Sequence, residues 1–167
     1  EFIKINSGKS YRLGLELGAL AKVSEQLNLL GNVTFSQNKN RDFKMEGSNS
    51  VDDLGNTTIS FSPSIIANAT IQYKPVKNLQ LNLSNQYVGK QYLDNTETEA
   101  LSLKDYFLSD FNAQYSFKIV QQDVSLQFLL NNIFDKKYVN NGFVYNGPYY
   151  YAQAGRNFML GLNFRIN

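Results

Sequence analysis

The chain has 167 residues, with 16 Lys+Arg, 14 Asp+Glu and no His, Cys or Trp. Without cysteine there are no disulfide frameworks or thiolate sites; without histidine the commonest general base and metal ligand is gone; and a net charge of +2 is too small for a nucleic-acid-binding surface. The longest apolar run is the four residues 149–152, far short of the ~20 that a membrane-crossing helix needs, while 14% aromatics, all Tyr and Phe, argue against disorder.

The first periodic segment, residues 11–19, places Tyr11, Leu13, Leu15, Leu17 and Ala19 on one face. Arg12, Gly14, Glu16 and Gly18 fall on the other. Residues 27–35, 65–73, 79–87, 107–117, 124–130 and 158–166 repeat this alternation in turn. A period of two is the signature of a half-buried strand. The expectation is an all-β chain of seven antiparallel strands. The connections alternate between short ones (22–26, 74–78, 118–123) and long ones (37–63, 88–105, 133–156). A sandwich spaces its strands more evenly. Short turns at one rim and long loops at the other are the pattern of an outer-membrane barrel. About ten residues at ~3.3 Å each, tilted ~45°, climb roughly 23 Å, which matches the ~25 Å apolar band of such barrels.

The aromatics fit the same geometry. If the last strand ends in the periplasm, the outward rings at the extracellular rim are Tyr11, Phe35, Tyr87, Phe107 and Phe158. Those at the periplasmic rim are Tyr73, Tyr115, Phe117 and Phe164. Aliphatic side chains fill the belt between these two membrane girdles. The opposite face carries Asn28, Asn32, Thr34, Asn68, Thr70, Gln72, Asn82, Ser84, Asn112 and Gln127, and reads as a hydrated wall. Leu30, Ile66, Leu129 and Met159 interrupt it.

Seven strands is an odd number, whereas single-chain bacterial barrels have an even one. An open sheet in lipid leaves unpaired backbone groups at its edges. The chain therefore reads as one segment, residues 1–167, forming the C-terminal third of a larger transmembrane β-barrel. Residues 1–5 are expected to be the end of an upward strand or a short eighth strand.

Three stretches are more specific. Residues 6–17, Asn-Ser-Gly-Lys-Ser-Tyr-Arg-Leu-Gly-Leu-Glu-Leu, residues 131–138, Asn-Asn-Ile-Phe-Asp-Lys-Lys-Tyr, and residues 155–164, Gly-Arg-Asn-Phe-Met-Leu-Gly-Leu-Asn-Phe, resemble strand-entry, strand-exit and last-strand motifs of TonB-dependent outer-membrane receptors. The resemblance covers the whole chain. It implies a barrel of about 22 strands with a plugged lumen, in the outer membrane of a Gram-negative bacterium. The implied partners are outer-membrane lipid, the rest of the barrel, an N-terminal plug with no counterpart in these residues, a TonB-type energy-transducing complex acting through that plug, and a small, bulky nutrient of the siderophore, cobalamin or glycan class. No nucleic-acid partner, cofactor or metal is implied. The sequence departs from the family in ending Ile166-Asn167 rather than on an aromatic residue.

Tyr145, Tyr149, Tyr150 and Tyr151 are the candidate ligand-contacting residues, because tyrosine supplies rigid, amphipathic contact area. They share a long loop with Phe134, Tyr138 and Phe143. The alternative is that these rings only pack the loop. Asp52, Asp53, Asp94, Glu97 and Glu99 lack the spacing of a calcium loop and are expected to be solvated. No nucleophile–base pair is possible without histidine, so no catalytic residues are assigned. Three rival readings stay open: a small autonomous eight-stranded barrel, a soluble adhesive β-domain, and a membrane-embedded hydrolase.

Overall fold

The computed structural model describes residues 8–46 and 51–165. The proposed strand over residues 1–5 lies outside the described residues. Seven long strands follow one another as neighbours: β1 (Lys9–Lys22), β2 (Leu27–Glu46), β4 (Ile65–Val76), β5 (Leu79–Val88), β8 (Tyr106–Ile119), β9 (Gln122–Asn131) and β12 (Asn157–Arg165). Every pairing is antiparallel. These are the seven segments that the alternation marks. The eighth strand of the sheet is β3 (Val51–Thr58), paired on the upper half of β2. Among the described residues β1 pairs only with β2 and β12 only with β9, so the sheet does not close on itself.

The register carries the sequence pattern across the whole sheet. Residues directly opposite in an antiparallel ladder share a face. Leu17 faces Val33, Val33 faces Ala67, Ala67 faces Tyr87 and Tyr87 faces Phe107. Phe111 faces Leu130, and Leu130 faces Phe158. All nine predicted girdle aromatics fall on this one outward face. Phe107 and Tyr115 stand eight residues apart on β8, which at ~3.3 Å per residue and ~45° tilt separates the two rims by roughly 19 Å. Among the described residues no second layer covers this face: Leu13 is 68% exposed, Leu160 68% and Leu162 67%. A sandwich would have to pack another sheet here, so the soluble-domain reading fails at this point. An apolar belt of this extent needs an apolar solvent.

The inward face is stitched by cross-strand amides. Asn28 donates to Gln72 at 3.0 Å, Asn68 to Asn32 at 3.0 Å, and Asn82 to Asn112 at 3.1 Å. Thr70 and Ser84 share a bond at 3.2 Å. On this face Glu16, Gly18, Leu30, Asn32, Asn68 and Thr70 line a hollow of about 620 Å³. Of the apolar interruptions, Leu129 and Met159 lie opposite each other, Leu30 lies opposite Leu20, and Ile66 lies between Thr34 and Val88.

The short connections are tighter than the sequence suggests. β4 and β5 are joined by residues 77 and 78, and β8 and β9 by Val120 and Gln121, at φ 56° and 142°. A β-branched residue at positive φ is strained; the tight hairpin demands primed-turn geometry from residues that do not favour it.

Candidate functional site

The three long connections all rise from the same rim of the sheet, the one expected to be extracellular, and none is structureless. The first is the β2–β3 hairpin. The second holds the two-residue strands β6 (Gln91–Tyr92) and β7 (Ser102–Leu103), separated by a 3-10 turn, Glu99–Leu101. The third is a hairpin of β10 (Val139–Val144) and β11 (Pro148–Ala152). The small apolar core of the chain lies beneath this crown, where Val88, Leu93, Leu103 and Tyr106 are buried.

The middle loop ties the other two together. On one side the Thr58 amide donates to Glu97 Oε2 at 2.6 Å, the Ser60 amide to Asn95 Oδ1 at 2.8 Å, and the Phe61 amide to the Tyr92 carbonyl at 2.9 Å. Lys39 Nζ completes this cluster, 3.2 Å from Glu97 Oε2 and 2.9 Å from Thr58 Oγ1. Burial pushes the Glu97 carboxyl up, but the Thr58 amide and hydroxyl and the Lys39 ammonium outweigh it and hold the group below its usual range. Glu97 is thus a partly buried staple and not the solvated acid that its sequence context suggests. Glu99 pairs with Lys90 at 2.7 Å, and Asp94 caps the Thr96 amide at 3.0 Å. Asp53 accepts from the Gly55 amide.

On the other side the middle loop supports the tyrosine hairpin. Gly142 lies so close to the Tyr149 carbonyl and to Leu93 that a Cβ there has no room. Tyr150 donates its hydroxyl to the Ala100 carbonyl at 3.2 Å. Pairing then separates the four candidate tyrosines. Tyr150 stands opposite Gly142, on the face turned to the middle loop. Tyr149 and Tyr151 lie on the other face, where Phe143 stacks on Tyr149 at 5.0 Å and packs beside Tyr151 at 6.0 Å. Tyr145 begins the hairpin tip, its amide bonded to the Gly147 carbonyl at 2.9 Å. All four are between 44% and 55% exposed. Below them, Leu103, Lys104, Lys136, Tyr138 and Tyr150 line a groove of about 440 Å³ between the two loops. Tyr138 leans over Tyr106, with ring centroids 4.7 Å apart.

The exit from β9 is a clamp at the base of this loop. Asn132, 5% exposed, takes φ 52°, a conformation that asparagine tolerates better than most residues. Its side chain accepts from the Lys136 amide at 2.8 Å and donates to the Lys136 and Ala154 carbonyls at 2.9 and 3.3 Å. Its own amide donates to Asp110 at 2.7 Å. Asp135 then accepts from the Arg156 amide at 2.8 Å and from Lys137 at 3.0 Å. Those two donors, the amide first, hold its carboxyl below the usual range. Gly155 lies against the Asp135 carboxylate and the Lys137 ammonium, so a Cβ there would push those two side-chain ends aside. The clamp, the Glu97 staple and the Leu93 support were not read from sequence; nothing about an isolated Glu or Leu in a polar loop announces a partner 39 or 49 residues away.

An open, antiparallel, outward-apolar sheet with short turns at one rim and a crown of ordered loops at the other defines a wall of the outer-membrane barrel class. The model of the TonB dependent receptor-like β-barrel matches residues 2–133, and the chain belongs to that family. It is 27% identical over 163 residues to the ferrioxamine receptor of Yersinia enterocolitica, covering 96% of this chain and 22% of that protein. The crystal structure of the siderophore receptor PiuA from Acinetobacter baumannii superposes with a TM-score of 0.78 at 24% identity, covering 94% of this chain and 22% of that one. The ferric preacinetobactin receptor BauA, also from Acinetobacter baumannii, gives 0.72 at 23% identity, covering 96% and 23%. The chain thus spans about a fifth of the length of these relatives.

Proposed function

We propose that this chain is a lumen wall and loop crown of an outer-membrane receptor that imports a siderophore-class chelate, and that it performs no catalysis. The observation that carries this reading is the pairing of an amide-lined inward face with an exposed tyrosine hairpin at its rim. A transport pathway needs a wall that solvates without binding tightly, and a capture surface that offers rigid contact area. In this reading residues 1–167 form one barrel segment without plug residues. A plug elsewhere in the protein covers Leu20, Leu30, Leu129 and Met159 and couples to a TonB-type complex. Siderophores are favoured over cobalamin and glycans because the relatives named above are siderophore receptors.

Tyr145, Tyr149, Tyr150 and Tyr151 are assigned to ligand contact. The stacked Phe143–Tyr149 pair offers a flat, preformed face at low entropic cost. The test is uptake of labelled ferric siderophores by cells expressing the full-length receptor. Tyr149→Ala/Tyr151→Ala should reduce uptake at equal surface expression, with cobalamin uptake at background throughout. Unchanged uptake would return the rings to loop packing.

A further inference from the structure

The groove between the middle loop and the tyrosine hairpin has a charge balance of its own. Lys104, Lys136 and Lys137 line it against a single acid, Asp105, and the rings of Tyr138 and Tyr150 form part of its walls. Its volume of about 440 Å³ is in the range of small-molecule sites. Lys137 is paired with Asp135 at 3.0 Å, and Asp105 accepts from the Tyr87 hydroxyl at 3.2 Å. Lys104 and Lys136 are exposed, and among the described residues neither ammonium has a hydrogen-bond or ion-pair partner.

The parts of this groove are fixed by contacts already in place. Asn132 bonds both the amide and the carbonyl of Lys136, at 2.8 and 2.9 Å, so that lysine stem rises from backbone held on both sides. Lys104 follows Leu103, which is buried, and stands two residues before buried Tyr106. Tyr138 lies over the Tyr106 ring, and Tyr150 is tethered through its hydroxyl to the Ala100 carbonyl. Two held rings and two unpaired ammonium groups thus surround one hollow. Tyr149 and Tyr151 occupy the other face of the hairpin, so the groove is a subsite separate from the Phe143–Tyr149 stack.

We infer that this groove binds an anionic aryl group of the chelate, with Lys104 and Lys136 at its oxygens and Tyr138 and Tyr150 against its ring, and that it selects anionic catecholate-type iron complexes over uncharged hydroxamate-type ones. Lysine ammonium groups pair with oxyanions as point charges. Aromatic rings stack on an aryl face, and rings held beforehand lose little entropy in doing so. An uncharged aliphatic chelate would leave both ammonium groups without a counter-charge. The inference rests on the uptake reading and specifies its substrate. The test is binding of radiolabelled iron complexes to the purified full-length receptor in detergent, using a trianionic ferric tris-catecholate and an uncharged ferric tris-hydroxamate. The parent should bind the tris-catecholate more tightly, and less so as salt is raised, because exposed ion contacts are screened. Lys104→Gln/Lys136→Gln should weaken that binding about tenfold, the order expected for two exposed ion contacts, and leave the tris-hydroxamate unaffected. Lys44→Gln, which removes a cation on the first hairpin outside the groove, should change neither. Undiminished tris-catecholate binding by the double variant, an equal loss in Lys44→Gln, or tighter binding of the tris-hydroxamate by the parent would each overturn the assignment. Should the double variant not assemble, the parent decides, since tris-catecholate binding that is insensitive to salt would refute the lysine contacts. Binding of the tris-hydroxamate alone would remove this inference and leave the uptake reading standing, whereas binding of neither complex would overturn both.

Discussion

Asn131 and Asn132 are chemically identical neighbours, and the fold gives them unequal roles. Asn131 makes one exposed bond to Asn157 at 2.9 Å. Asn132 makes three side-chain bonds from a buried position at positive φ. Replacing Asn131 by Ala removes one exposed bond and should cost about 0.5 kcal/mol. Replacing Asn132 by Ala loses three bonds at roughly 0.5–1.5 kcal/mol each and leaves at φ 52° a residue that tolerates this conformation less well than asparagine, for about 3 kcal/mol in all. The cost falls on the loop, because β9 and β12 remain paired below it. Hydrogen exchange on the full-length receptor in bilayers reads it directly: amides 135–137 should exchange on the order of a hundredfold faster in Asn132→Ala. Asn132→Gly should recover about 1 kcal/mol by relieving the backbone, and Asn132→Asp should keep the Lys136 amide bond while losing both donors. Equal protection losses in Asn131→Ala and Asn132→Ala would refute the clamp.

Two further outcomes test other parts of the structure. Leu83 lies between Ile71 and Phe111 on the outward face, and Asn82 between Gln72 and Asn112 on the inward one. Leu83→Arg should destabilise the barrel by about 2–4 kcal/mol and Asn82→Arg by about 1 kcal/mol, while Tyr73→Lys, able to snorkel at the rim, should cost only ~0–1 kcal/mol; reversible unfolding in lipid vesicles measures all three, and a Tyr73→Lys cost equal to that of Leu83→Arg would refute the girdle. The Glu97 staple should depend on pH: its folded-state pKa lies below the ordinary 4.5, so its contribution is full above that value and is lost as pH falls through the folded pKa. Exchange of the Thr58 amide should accelerate on acidification through that range, and Glu97→Gln should remove the dependence.

The order and facing of the seven wall strands were legible in the sequence, though β3 and the four loop strands were not, because a two-residue period maps directly onto two faces and a lipid-exposed sheet keeps its outward positions mostly apolar, the outward Asn85–Ser109 pair being hydrogen-bonded within that face. Tyr11, Leu83 and Phe164 needed only their parity to be placed. The β9 exit and the Gly155-Arg156 entry were legible as motifs, though not as one clamp. What tertiary structure decided is the loop crown. There the chain has no period, and a side chain's role depends on partners far along the sequence: Glu97 with Thr58 and Lys39, Leu93 with Gly142, Tyr150 with Ala100. The four tyrosines show the division most sharply. Composition marks them as one cluster, but alternation within β11 and its register against β10 turn Tyr150 toward the middle loop and leave Tyr149 and Tyr151 beside Phe143. That choice depends on which residues of β10 lie opposite, and only the folded hairpin sets it.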